Sequence, residues 1–223
     1  MEMNVTSAVE KRSSIRAFLS TPVPNELIKE LLIKSSRSAS GGNLQPWKIF
    51  VINNSAMNDF LQFQRNWNKP ETPAYDIYPS KLKEPYRTSR YELGEQMYEL
   101  LGIGRDDKDA RNDWVLRGFR QFDAPVAVIV TFDSSLKDDD ISKFDCGAVV
   151  NGLVNAGWSR GLGAVINSQG IMQSPVVRKY ANIPDDETIM ICVAMGYPDF
   201  SFPANKVVSK RRPVSEVVNF KGF

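Results

Sequence analysis

Histidine is absent from the 223 residues. That absence excludes Ser-His-Asp and Cys-His catalysis and every histidine-containing zinc site. Cysteine is scarce: Cys146 and Cys192 are too few for a disulfide framework, stand far apart for a structural zinc, and fit a reducing compartment. Long hydrophobic runs are missing, so no segment approaches the length of a bilayer span. The opening "MEMNVTSAVEKR" also lacks the apolar core of a signal peptide. Neither charge sign dominates: 28 basic against 26 acidic residues gives +2, which removes the argument for nucleic acid or an acidic membrane as partner. No Gly-x-Gly-x-x-Gly follows a strand-like run, no Walker loop is present, and the glycines of "GLGAVINSQG" have the wrong spacing for a dinucleotide fold. The rest is the composition of a globular chain, 42% hydrophobic and 24% charged, of a length that suits one domain in the cytoplasm. An enzyme built this way uses carboxylates, lysine or tyrosine, or borrows its chemistry from a cofactor.

The pattern of elements is mixed. "TSAVEKRSSIRAF" reads as a short helix capped by Thr6 that ends in a basic, hydroxyl-rich strip. Leu27, Ile28, Leu31 and Leu32 have helical spacing. "WKIFVI" is a strand, and Ser55 is the expected N-cap of the helix "AMNDFLQFQRNW". Residues 68 to about 84, with Pro70, Pro73 and Pro79, read as irregular, exposed and aromatic, with Pro85 just beyond. Two helical stretches follow, then the central strand "APVAVIVTF". "DDISKFDCGAVVNGLVNAGWSRG" is apolar nearly all round, which predicts a buried core helix. "GLGAVINSQG" and "TIMICVAMGYP" are further strands, with the short helix "SPVVRKYANI" between them. Strands and helices without βαβ alternation predict an α+β fold.

Three stretches carry binding chemistry. "RSSIR" places Arg12, Ser13, Ser14 and Arg16 together, and guanidinium forks match phosphate oxygens. Taken alone it also reads as a solvated basic helix end. "SGGNLQPW" sets Ser40, Asn43 and Gln45 on bare backbone before a buried strand. Its amides donate and accept, as a heteroaromatic edge of carbonyls and N–H groups requires, or they brace a loop fixed by Pro46. "SKRRP" adds Arg211 near the C-terminus, either for an anion or as an exposed basic tail.

In this order and spacing, "RSSIR", "SGGNLQPW", "GLGAVINSQG" and "KRRPVSEVV" resemble the flavin-dependent nitroreductase family over nearly the whole chain. The run from Tyr78 to Arg111 resembles its nitrobenzoate reductase branch. The resemblance implies an α/β sandwich with a mainly antiparallel sheet flanked by helices, in an intertwined homodimer. It makes residues 1–223 one FMN-binding domain, with a lid-like insertion at about 68–122 and a dimer-embracing arm at about 204–223. Arg12, Ser13, Ser14 and Arg16 would hold the FMN phosphate and ribityl chain, and Arg211 would return to the phosphate. Ser40, Asn43 and Gln45 would meet the ribityl chain and ring edge. Gln169 and Gly170 would present backbone N–H groups near flavin N5; some family members carry Glu-Gly there.

The implied activity is ping-pong transfer of electrons from NAD(P)H through tightly bound FMN to a nitroaromatic or quinone-like acceptor, with no catalytic side chain and no metal. Tyr75, Tyr78, Tyr86 and Tyr91 are candidates to line the mouth for a small aromatic substrate, or to pack as core beneath the lid. Alternatives are reductive dehalogenation of a halotyrosine through Lys83, Glu84 and Tyr86, and a non-enzymatic flavin-binding protein; nothing in the chain points to flavin fragmentation.

Overall fold

The strand from Val126 to Asp133 alternates its side chains between two different cores, and the fold follows from that alternation. The computed structural model describes residues 3–66 and 73–222. In chain order the described helices are α1 (Val5–Lys11), α2 (Asn25–Ser35), α3 (Asn54–Asn66), α4 (Tyr86–Leu101), α5 (Lys108–Phe119), α6 (Asp140–Ser159), α7 (Ser174–Ala181) and α8 (Val214–Val217). The strands are β1 (Trp47–Asn53), β2 (Val126–Asp133), β3 (Gly163–Asn167) and β4 (Glu187–Gly196). They form one sheet, ordered β1-β2-β4-β3, in which every neighbouring pair is antiparallel. The architecture is the expected α+β one.

Val126, Val128, Val130 and Phe132 of β2 face Ile28 and Leu31 of α2 and Cys146, Val149, Val150, Leu153 and Val154 of α6. Ala127 and Ile129 face Met57, Phe60 and Leu61 of α3 and Val177 of α7. Helices therefore cover both faces, which explains why "APVAVIVTF" is a continuous apolar run. The register of β2 against β4 slips between Val130 and Thr131, passing over Met190.

Three sequence expectations change in detail. The cap of α1 is Asn4, whose Oδ1 accepts from Ser7 N at 2.9 Å, so Thr6 sits inside the first turn. Helix α3 begins at Asn54 and takes in Ser55. Helix α6 buries only one side: Ile141 and Phe144 are 57% and 74% exposed. Its start is fixed by Asp139, whose carboxylate accepts from Ile141 N and Ser142 N at 3.1 Å each. Residues 73–85 are irregular apart from a bridge of Ala74 to Gln173, as read from the sequence, whereas residues 68–72, Pro70 included, lie outside the described residues. Among the described residues no helix is long and apolar enough to cross a membrane.

Both thiols are buried. Burial, and next the Asp145 charge, push Cys146 up to about 12, and burial alone raises Cys192. Because the thiolate is the nucleophile, native protein at pH 8 should take up almost no iodoacetamide, while unfolded protein labels at both cysteines. Mass spectrometry of native and denatured samples checks this; rapid native labelling of Cys192 would contradict its placement.

Candidate functional site

Helix α1 ends at Lys11, and the chain leaves it extended. Ser14 bridges Ala164 in parallel, and Ile15 N donates to Ala164 O at 3.0 Å. "RSSIR" is thus not a helix end but an extended strip beside β3. Ile15 and Ala17 are buried at 0% and 2% exposure, so the two-residue period puts Arg12, Ser14 and Arg16 on the opposite face. The strip fits closely because residue 163 is glycine: a Cβ there would stand 2.5 Å from Ile15 Cγ1.

Asn205 locks the strip to the C-terminal segment. Its Oδ1 accepts from Arg16 N at 2.6 Å, and its Nδ2 donates to Ala17 O at 2.9 Å and Asp199 O at 2.8 Å. From there the chain runs to Arg211, whose guanidinium donates to Ser209 O at 3.0 Å and Ser209 Oγ at 2.7 Å.

Arg12, Ser13, Ser14, Arg16 and Arg211 line one cavity of about 690 Å³, with Lys11, Lys206 and Leu93 of α4 on its walls. Burial, and next the charge of Arg211, lower the proton affinity of Arg12; burial lowers that of Arg16. Glu10 is the one acidic residue on this lining, and no described ion pair joins it to these arginines. Two like charges in a partly desolvated space repel, and an anion between them reverses the sign. The arrangement suits a phosphate.

The "SGGNLQPW" segment is apart from this cavity and lines none of it. Gly41–Asn43 forms a 3₁₀ turn, and Gly42, Asn43 and Gln45 hold left-handed backbone at φ 55°, 59° and 50°. Ser40 Oγ accepts from Gln45 N at 3.0 Å, and Gly41 N donates to Asp145 Oδ2 of α6 at 3.0 Å. Asn43, Leu44 and Gln45 are exposed, so the loop is braced from beneath and open above.

Gln169 and Gly170 also lie outside the cavity, in a 3₁₀ turn just after β3. Gly170 is buried, and its carbonyl accepts from Gln121 Nε2 at 2.8 Å. Ala74 N donates to Met172 O at 2.9 Å and Ser174 N to Ala74 O at 3.1 Å, tying the segment around Tyr75 to the end of this turn.

The tyrosines divide. Tyr75 packs against the core beneath α3 and meets Tyr78 edge-on at 5.6 Å. Tyr78, Tyr86 and Tyr91 are exposed. Tyr91 lines a second cavity of about 570 Å³ with Lys81, Arg87, Arg90, Tyr98 and Arg111, while Tyr86 lies beneath the Arg212 guanidinium at 5.9 Å.

Sequence reasoning missed Asn205, whose role rests on bonds to residues far away in the chain, and it missed Gln121. The run Gln121, Phe122, Asp123 is left-handed at φ 55°, 54° and 55° without a glycine. Each such residue stores on the order of 1 kcal/mol or more of strain. The run persists because Gln121 and Phe122 are buried, and because Asp123 accepts from Arg65 at 3.0 Å. Among the described residues no group of three or more Cys, Asp and Glu side chains stands together to hold a metal.

Comparison with known proteins identifies the family. The Nitroreductase family model matches residues 9–197. This chain belongs to the Nitroreductase family. A nitrobenzene nitroreductase of Ectopseudomonas oleovorans is 31% identical over 221 residues, covering 97% of this nitroreductase-family chain and 96% of the relative. A 4-nitrobenzoate reductase of Pseudomonas putida is 28% identical over 220 residues, covering 97% and 95%. The crystal structure of an FMN and NADPH-dependent nitroreductase, NfnB from sphigopyxis sp. strain HMH, superposes with a TM-score of 0.89 at 29% identity, covering 99% of this chain and 100% of that one.

In this nitroreductase the Asn205 amide is the joint between strip and tail. Asn205→Ala leaves buried backbone groups without partners and should destabilise the fold by about 1–3 kcal/mol. Urea unfolding checks it; an unchanged midpoint would remove the joint from the account.

Proposed function

We propose that this chain is an FMN-dependent reductase that takes electrons from NAD(P)H and passes them to a nitroaromatic acceptor by a ping-pong route. The observation that carries the reading is the meeting of Arg12, Ser13, Ser14, Arg16 and Arg211 around one cavity that holds cations without carboxylate partners. Family membership and the similarity to FMN and NADPH-dependent NfnB support it. The guanidinium groups of Arg12, Arg16 and Arg211 take the phosphate, and the hydroxyls of Ser13 and Ser14 donate to it or to the ribityl chain. FMN held by these residues would supply the redox chemistry between nicotinamide and nitro group. The chain supplies position and hydrogen bonds, which suits a protein without histidine. Gln169 and Gly170 face the ring near N5 in this reading. The soluble reaction needs no membrane and no nucleic acid, and the cytoplasm supplies its nicotinamide.

Ser40, Asn43 and Gln45 fit this reading in a homodimer, where the exposed loop of one copy reaches the flavin held by the other. Support comes from the apolar side chains left exposed on one chain: Leu44 at 52%, Phe144 at 74% and Val214 at 60% exposure. Residues 204–223 then act as an arm across the second copy. Residues 73–122 act as a lid, with Tyr91 and Arg90 of its cavity toward the acceptor. The halotyrosine reading is weaker, because Glu84 is engaged at the start of α4: it accepts from Thr88 N at 3.2 Å and Arg87 Nε at 2.8 Å. The Thr88 hydroxyl, first, and then Arg87 hold its pKa below the usual carboxylate value.

Purified protein should be yellow and should oxidise NAD(P)H with a nitroaromatic under anaerobic conditions. A colourless chain that refuses FMN would end the proposal, and a yellow one inert toward nitroaromatics would favour simple flavin binding. Deleting residues 207–223 should cost both dimer and flavin, as read by sedimentation and absorbance; a stable flavin-loaded monomer would dismiss the arm. Charge-assisted hydrogen bonds contribute roughly 1.5–3 kcal/mol, so Arg12→Ala or Arg16→Ala should weaken FMN by about ten- to a hundred-fold. Riboflavin, lacking the phosphate, should bind nearly as before. Asn43→Ala should weaken both ligands alike. Fluorescence titration decides; arginine variants that weaken riboflavin as much as FMN would move those residues from phosphate to fold.

A further inference from the structure

Helix α5 and the turn that follows β3 grip one another through two glutamines laid on two glycines. The Gln121 amide lies against Gly170, where a Cβ would stand 2.2 Å from its Nε2 and Oε1. The Gln169 amide lies against Gly118, near the end of α5, where a Cβ would stand 2.3 Å from its Oε1. Each side presents a glycine to the other's glutamine.

Hydrogen bonds fix the Gln121 half. Its Nε2 donates to Gly170 O at 2.8 Å, and its Oε1 accepts from Asn167 Nδ2 at 2.9 Å and Cys192 Sγ at 3.2 Å. Asn167 Nδ2 also donates to Gly118 O at 2.8 Å. Gln121, Asn167 and Cys192 are all buried. The left-handed backbone at Gln121 turns its amide into this position at the end of α5, before β2 starts at Val126. The Gln169 half is looser: its side chain is half-buried.

We propose that Gln121 is a positioning residue, and that the interlock sets the Gln169–Gly170 turn according to the packing of α5. The proposal rests on the reading above that this turn lies beside the flavin. Gln121 touches neither flavin nor substrate in it; it acts through Gly170. A shift of α5 moves Gln121 and Gly118 together, and the turn follows because both of its residues are held. The device couples the lid helix to the hydrogen bonds that tune the cofactor.

Two variants test it in FMN-loaded protein. Gln121→Met keeps length and burial but removes the donor to Gly170 O. Gly118→Ala is favourable for a helix, yet its methyl group displaces the Gln169 amide. Deuterium uptake in a peptide spanning residues 168–172 should rise several-fold in both, with the helical circular dichroism unchanged. Losing one hydrogen bond corresponds to roughly two- to ten-fold, and flavin reduction by NADPH in stopped flow should slow by that factor at unchanged FMN affinity. In a Gln169→Ala background Gly118→Ala should do nothing further, since the clash is gone.

Unchanged uptake at residues 168–172 in both variants overturns the interlock. So does an effect of Gly118→Ala that is equal with and without the Gln169 side chain, which would mark ordinary helix packing. If the unaltered protein takes up no FMN, the proposed function fails by itself, and the exchange measurement on the same chain still decides the interlock.

Discussion

Arg12 and Arg211 face one cavity, where burial and next the Arg211 charge lower the proton affinity of Arg12, and no described ion pair joins either arginine to Glu10 on the same lining. Repulsion of this kind persists only if the backbone on both sides is fixed by other means. On one side the strip from Arg12 to Arg16 is pinned to β3 through Ile15 and Ala164. On the other, Asn205 anchors the C-terminal segment and Ser209 holds the Arg211 guanidinium. An anion placed between these cations would be attracted by both, where a neutral molecule would not. In the proposed reading a phosphate would be favoured here without any residue specific to phosphate.

The same strip solves a second problem. Strand β3 is at one end of the sheet order, and an open edge invites pairing with other chains. Ser14 and Ile15 cover part of that edge, with Gly163 leaving room for Ile15. Cavity lining and edge protection are one structure: the alternation that buries Ile15 and Ala17 is what turns Arg12, Ser14 and Arg16 outward together. A helical continuation, which the opening of the sequence suggested, would have spread these side chains around an axis.

The strands were legible because β2 and β4 are long β-branched runs, and α6 because it is long and apolar. Caps were less so. Asn4 outcompetes Thr6 because its side chain stands three residues before the Ser7 amide it binds, a spacing that Thr6 cannot satisfy for the same turn. That Arg12, Ser14, Arg16 and Arg211 belong together is an expectation from motif resemblance, and they line one cavity; the shared face of Arg12, Ser14 and Arg16 could not be read, since it depends on extended pairing with Ala164, a contact 150 positions away in sequence. Gln121 left no local signal. Left-handed backbone without glycine contradicts the usual turn chemistry, and only burial and the bonds to Gly170 and Asn167 justify it.

One chain also shows why the site reads as two pieces. The "SGGNLQPW" loop is fastened to α6 by Gly41 and Asp145, and Gly41 sits tight against Ile141, where a Cβ would come within 3.0 Å of the isoleucine Cγ2. Loop and helix are therefore joined at Gly41. The uncovered apolar side chains Ile141, Phe144 and Leu44 belong to that loop and helix. In the proposed dimer, burying this patch necessarily fixes the amides of Asn43 and Gln45 relative to the second copy, so association and completion of the site become a single event. A monomer would keep the phosphate cavity and lose the ring edge. The hydrophobic drive for assembly thereby also determines where the polar contacts fall, which a loop free of α6 would leave to chance.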